Sequence, residues 1–382
     1  MTNSNYNIAL AYLRACVILL VVLFHASIAY FPDAPPPPES FETGKFWRFR
    51  PVVDSQGWIL APLIVSFLDV FFMTLLFFVS GMFVWKSLKS KGSYHYMRDR
   101  LLRIGLPLLV FATILPLFAY YPTFLQMGAP GGVKGFLAQW WALHGKPIGP
   151  LWFLGVLLFY DIVVTLLYLV FPTWGDTLGK LASGALEKPF NFFLIVLFFS
   201  AVGYLSMLLF FDALQWTSIG PFRIQISRIL HYFVWFMAGA AIGAWGLDRG
   251  LVAANGNLAK RWYLWVLGAL VAFALFYFVL NASPPMVKGL SFVISCTTSC
   301  FALTALFVHF TKSHVKTFDS LSDNAYGIYL VHYAFITWLQ YALLQAPLSG
   351  FVKVILVVLG TLLLSWSFVA LLRRIPGVAR VI

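Results

Sequence analysis

Residues 8–30 read IALAYLRACVILLVVLFHASIAY, an apolar run interrupted only by Arg14 and His25 among ionisable groups of ordinary charge. A bilayer span needs about 20 mostly apolar residues in a helix. The stretch has that length and predicts a membrane-spanning first helix. A cleavable signal peptide carries basic residues ahead of an unbroken apolar core. Here no Lys or Arg precedes Arg14, and Arg14 and His25 break the run, so the helix is expected to be retained.

The same ruler, carried outward, marks further runs near 59–86, 101–121, 151–172, 190–211, 228–247, 262–280, 287–310, 322–345 and 351–373. The 382 residues are 61% hydrophobic and 10% charged, with a mean hydropathy of +0.86. A soluble domain carries about 25% charged residues and could not hide this much apolar surface in one core. The composition excludes a soluble globular enzyme, a disordered regulator and a coiled coil. The expected fold is all-α: a polytopic integral membrane protein of about ten transmembrane helices. Residues 1–382 read as one membrane domain with no appended soluble domain. Turn chemistry falls between the runs, at Pro35 to Pro38, Gly131-Gly132, Gly145-Lys146-Pro147 and Ser283-Pro284-Pro285.

The formal net charge is +13. Basic residues between apolar spans follow membrane topology and anionic head groups, and no separate basic domain offers a nucleic-acid surface. Sixteen of the 26 Lys and Arg residues fall in one alternating set of loops and nine in the other, with Arg14 inside the first span. The richer side is expected to be cytoplasmic, which puts both termini inside. Cys16, Cys296 and Cys300 all lie in apolar runs. Their spacing predicts neither a disulfide framework nor a metal site.

Ionisable groups inside a span are costly and are candidate functional residues. Arg14 and His25 are eleven residues apart, within about 20° of three full turns, and about 16.5 Å apart along the axis. One helix face thus presents a cation near the cytoplasmic end and an imidazole in the outer half. That suits a ligand with an anionic end near the cytoplasm and a reactive end deeper in. Each also has an ordinary reading. Arg14 can snorkel to the head groups, and His25 can be a hydrogen-bonded core residue. Arg100 and Arg103 are expected to share a face at the start of the third span. They serve either as a phosphate clamp or as a topology anchor. Asp69 and Asp161 lie near mid-membrane, where either can pair with His25 or with an arginine. His332 is a second intramembrane histidine. The aromatics Trp140, Trp141, Trp152, Trp174 and Trp262 fit an interfacial belt. Trp47, Trp58, Trp140 and Trp141 could instead stack on sugar rings.

The chain resembles the bacterial membrane-bound acyltransferase family 3, whose members include O-acetyltransferases and a succinyltransferase of glucan biosynthesis. Five segments carry the resemblance. They are Arg14 with His25; Met73 to Ser80-Gly81, with Leu76 where the family has its first Phe; Arg100-Leu101-Leu102-Arg103 with Ile104-Gly105-Leu106-Pro107; Leu151-Trp152-Phe153-Leu154; and Ser322 through Tyr326-Gly327-Ile328-Tyr329-Leu330-Val331-His332. The resemblance implies transfer of an acyl group, acetyl or succinyl, from cytoplasmic acyl-coenzyme A to a hydroxyl of an extracytoplasmic glycan. It implies a bacterial inner-membrane location and no metal. His25 would act as general base or carry the acyl group transiently, with His332 and Asp69 as further catalytic candidates. Arg14, Arg100 and Arg103 would hold the donor phosphates, and Ser80, Trp152 and Tyr329 would contact substrate. Arg223, Arg228 and Lys45 are candidates to read a carboxylate on the acyl group. A secondary transporter or lipid-linked glycan flippase is the alternative from another class, since intramembrane His, Asp and Arg also fit a proton relay.

Overall fold

The computed structural model describes residues 4–42, 45–219, 222–281 and 283–382. Among them the chain is almost wholly helical. The helices are α1 (Ser4–Ile28), α2 (Ala61–Gly81), α3 (Val84–Arg100), α4 (Leu106–Gln126), α5 (Gly132–Ala142), α6 (Trp152–Val170), α7 (Trp174–Gly179), α8 (Pro189–Leu208), α9 (Ile229–Trp245), α10 (Asn257–Lys260), α11 (Trp262–Val279), α12 (Pro285–Phe310), α13 (Lys316–Ala342) and α14 (Gly350–Leu372). Nine described helical segments are long and apolar enough to cross a membrane, and the chain is an all-α polytopic membrane protein. The sequence reading counts α13 as a tenth span. At 27 residues it is about 40 Å long, but Asp319, Asp323, Asn324, His332 and Gln340 make it more polar than the others. It can carry them because it packs between α1, α4 and α14.

Two departures from the expected pattern shape the bundle. The basic stretch 86–103, expected to link the second and third apolar runs as a loop, lies mostly in α3, bent at Gly92, where φ is 73°. The rod then continues through a wide π-turn, Leu101–Gly105, into α4. Pro107 has no N–H to return to the Arg103 carbonyl. The Tyr326 hydroxyl of α13 donates to that carbonyl instead, at 2.6 Å. On the opposite side, β1 (Trp216–Ile219) and β2 (Phe222–Gln225) form an antiparallel hairpin with Thr217 opposite Ile224. The alternation Phe222-Arg223-Ile224-Gln225 is too short to announce this hairpin, and Trp216-Thr217-Ser218-Ile219 carries none.

α1 ends at Ile28 because Pro32 follows closely and the carbonyls of its last turn have no helical donor left. Gln340 of α13 supplies one, donating from Nε2 to the carbonyls of His25 and Ala26, both at 3.1 Å. The chain beyond α1 is then tied down by a buried ion pair. Lys353 Nζ of α14 lies 2.7 Å from Asp54 Oδ2, with both side chains sealed from solvent. Lys353 also donates to the Leu344 carbonyl at 3.2 Å. Tyr30 packs beside this pair, where burial, with Asp54 adding to it, pushes its hydroxyl above the ordinary value. Removing one partner of a buried pair strands the other charge at a cost of about 3–5 kcal/mol. Lys353→Met is therefore expected to lower the melting temperature of the purified protein sharply. The double variant Asp54→Asn/Lys353→Met should recover part of the loss. A double variant no more stable than the single one would show that packing around Lys353, not the stranded carboxylate, sets the cost.

Candidate functional site

A cavity of about 480 Å³ lies between α1, α2, α6, α9 and α13, on the side of the hairpin. Its wall includes His25, Asp69, Trp152, Tyr232, Tyr329 and Tyr333, and its rim includes Arg48, Pro147 and Trp216. The sequence places these residues on seven separate segments, and the bundle gathers them.

The protonation of His25 follows from its neighbours. His25 Nδ1 is 2.9 Å from the Val21 carbonyl, one helical turn back. A carbonyl oxygen only accepts, so Nδ1 carries the proton. The same argument applies to His332, whose Nδ1 is 2.6 Å from the Tyr329 carbonyl. In the neutral ring His332 Nε2 is therefore an acceptor, and it faces His25 Nδ1 at 3.4 Å. The two carbonyls and His332 together fix His25 as the Nδ1–H tautomer. His25 Nε2 keeps its lone pair, with no partner among the described residues, on a side chain that lines the cavity. The ring is held edge-on by Phe24 and Tyr333, at centroid distances of 5.1 Å each. This is an oriented base facing a cavity large enough for a sugar ring.

Neither carboxylate pairs with His25. Asp69 Oδ2 is 2.7 Å from Arg228 Nη2, and Arg228 is buried over the Phe292 ring. Asp69 still borders the cavity, one-third exposed. Arg228 thus serves Asp69 and not a substrate carboxylate. Asp161 is fully buried, accepts from the Tyr96 hydroxyl and lies 3.5 Å from Arg100 Nε. Arg100 also stacks over Tyr96. Arg103 is exposed. The shared face expected of Arg100 and Arg103 does not form, because the π-turn between them changes the angular step. Arg14 is exposed and electrostatically coupled to Asp323 of α13.

Trp152 and Tyr329 line the cavity, and the Tyr329 hydroxyl donates to the Pro150 carbonyl. Ser80 sits at the far end of α2, outside the residues that line the cavity. Trp47 and Trp140 do not offer themselves to sugars. They are buried in a separate aromatic core with Phe41, Tyr120, Phe124 and Phe136. The side chains of Lys45 and Arg223 lie outside the described residues. The sequence reading missed the His25–His332 contact, which spans 307 positions, and it missed Tyr333, Trp216 and Arg48 at the cavity. The rim was legible only as loops with Arg, Gly and Pro.

The sequence model of the acyltransferase family 3 domain matches residues 7–370. No curated protein and no solved structure matches the chain.

Proposed function

We propose, since this chain belongs to acyltransferase family 3 and is a membrane acyltransferase, that it moves an acetyl or succinyl group from acyl-coenzyme A on the cytoplasmic side to a hydroxyl of an extracytoplasmic glycan. The observation that carries this reading is the His25 tautomer: a free Nε2 lone pair facing the cavity. An acceptor hydroxyl seated there gives its proton to Nε2 as its oxygen attacks the thioester carbonyl. The carbon–sulfur bond breaks, and the proton returns to the departing thiolate. His332 keeps Nδ1 of the base oriented throughout, in the place a carboxylate takes in a Ser-His-Asp triad.

The donor would enter from the other end of α1 and α13. Arg14, about 16.5 Å below His25 along the helix, is exposed there, and so is Arg103. Both belong to the level of α13 that holds Asp323 and Tyr326. We assign the nucleotide phosphates to these two arginines. Arg100, engaged by Asp161 and Tyr96, braces α3 against α6. The direct test uses proteoliposomes with labelled acyl-coenzyme A on one side and a glucan oligosaccharide on the other. Label should appear on the oligosaccharide as an ester, and a failure of transfer with every donor and glycan acceptor supplied would overturn the reading.

The arginines make a separable prediction. Arg14→Lys keeps the charge and loses the guanidinium fork, and Arg103→Gln loses both. Each is expected to raise KM for acyl-coenzyme A about tenfold, the scale of one charge-assisted hydrogen bond. KM for the acceptor should not move. An unchanged donor KM in both variants would reduce these residues to topology anchors.

A further inference from the structure

We propose that Arg48 forms an anion subsite at the cavity rim and that the acceptor admitted there carries a carboxylate or phosphate group. This rests on the acyl-transfer reading and names the acceptor class for it. Arg48 closes the 3₁₀ turn Lys45–Arg48, and its main chain is fixed, since the Tyr120 hydroxyl donates to the Arg48 carbonyl at 2.6 Å. The guanidinium lies over Trp47, 5.6 Å from the ring centroid, and Trp47 is itself anchored by donating to the Phe41 carbonyl at 3.1 Å. The cation is thus positioned before any ligand arrives.

Its polar contacts are incomplete. Nη2 reaches the His144 carbonyl at a long 3.4 Å. Nε is sheltered from solvent and has no hydrogen-bond partner. Among the described residues no carboxylate forms an ion pair with Arg48, whereas Asp69 is held by Arg228; Arg50, stacked on Phe31 and Phe49 behind the wall, also lacks an ion pair but is not among the lining residues. His25 enters the proposed reaction as the neutral Nδ1–H ring, which adds no charge to the wall. With Asp69 held by Arg228 behind the wall, Arg48 is the charged group of the described lining left without a counter-charge. A partly desolvated cation without a counter-charge is costly, and a guanidinium fork matches a carboxylate or phosphate in two parallel hydrogen bonds. The rim position selects the acceptor over the acyl group. Arg48 sits among the loop residues around His144 and the hairpin, whereas the reacting acyl carbon must reach His25 on α1. Trp216 and Trp152, 5.5 Å apart edge to face, give the same wall aromatic surface for the saccharide.

The test measures binding without donor, so it does not depend on transfer. Purified full-length protein is titrated with an oligoglucuronate and with a neutral oligoglucose of equal length, followed by tryptophan fluorescence. The wild type is expected to bind the acidic oligosaccharide about ten- to a hundredfold more tightly, the scale of a charge-assisted pair. Arg48→Gln should abolish the preference, bringing the acidic oligosaccharide to the affinity of the neutral one, and Arg48→Lys should restore part of it. Equal binding of the two saccharides by the wild type would overturn the proposal, as would a preference that survives in Arg48→Gln. A second arm compares KM for succinyl- and acetyl-coenzyme A. If Arg48→Gln removes a preference for the succinyl donor and changes no saccharide preference, the acceptor assignment is overturned and the anion belongs to the acyl chain.

Discussion

His25→Asn is expected to lower kcat for acyl transfer by about 10²–10⁴-fold, the usual contribution of a positioned general base. Asparagine is the informative replacement because its side-chain amide can still donate to the Val21 carbonyl, as Nδ1 does at 2.9 Å. The end of α1 should keep its geometry, since Gln340 caps the main-chain carbonyls of residues 25 and 26 and not the imidazole. What is lost is the Nε2 lone pair that faces the cavity. Melting temperature and donor affinity should stay near wild type while turnover falls. His332→Ala leaves the base present and removes the ring that shares its Nδ1 proton at 3.4 Å. Losing the residue that orients a catalytic histidine costs less than losing the histidine itself, so this variant should retain more activity than His25→Asn. Wild-type turnover in His25→Asn would sink the base assignment. A loss in His332→Ala larger than in His25→Asn would move the proton-accepting role to His332.

The membrane class and nearly every span were legible because apolarity is local information: about 20 residues either suit hydrocarbon or do not. Arg14 and His25 stood out for the same reason, as costly exceptions in one run. The partners of buried charges were not legible. Asp69 and Arg228 are 159 positions apart, and His25 and His332 are 307 apart. No local periodicity encodes which helices meet. The pairing of Arg100 and Arg103 failed for a nearer reason. The α-helical step assumed between them is replaced by a π-turn, which a five-residue apolar and basic stretch does not announce. α3 was invisible because its buried apolar residues, Val84, Trp85, Leu88 and Tyr96, are too few among the basic and polar ones to mark a helical period, and β1–β2 because four-residue strands carry too little alternation. Arg48 could have been singled out only by knowing that Tyr120, Trp47 and the His144 loop converge on it.

The largest structural effect is expected at the crossing of α2 and α9. Gly239 and Gly243 lie one turn apart on α9, and Gly81 faces them from α2. A Cβ on Gly239 would stand 2.0 Å from the Phe78 carbonyl oxygen, one on Gly243 1.9 Å from the Met82 oxygen, and one on Gly81 2.0 Å from the Phe236 oxygen. Each obstacle is backbone, so no rotamer change relieves it and the helices must separate. Small residues spaced this way are how helices approach closely in lipid, where packing drives association. Gly239→Ala is expected to cost about 1–3 kcal/mol, the range for overpacking a close-packed interior, and Gly239→Leu to abolish the folded protein. Gly268→Ala on α11 is the control. Nothing lies within 4 Å of its Cβ position, so the added methyl should leave stability unchanged or raise it by up to about 1 kcal/mol through helix propensity. The crossing also sets the site. α2 brings Asp69, Phe72 and Met73 to the cavity wall, and α9 begins one residue after Arg228, which holds Asp69. Parting the two helices in Gly239→Ala should therefore stretch that ion pair and lower acyl transfer together with the melting temperature. A Gly239→Ala protein that melts with Gly268→Ala would show that the α2–α9 approach is looser than 2.0 Å implies.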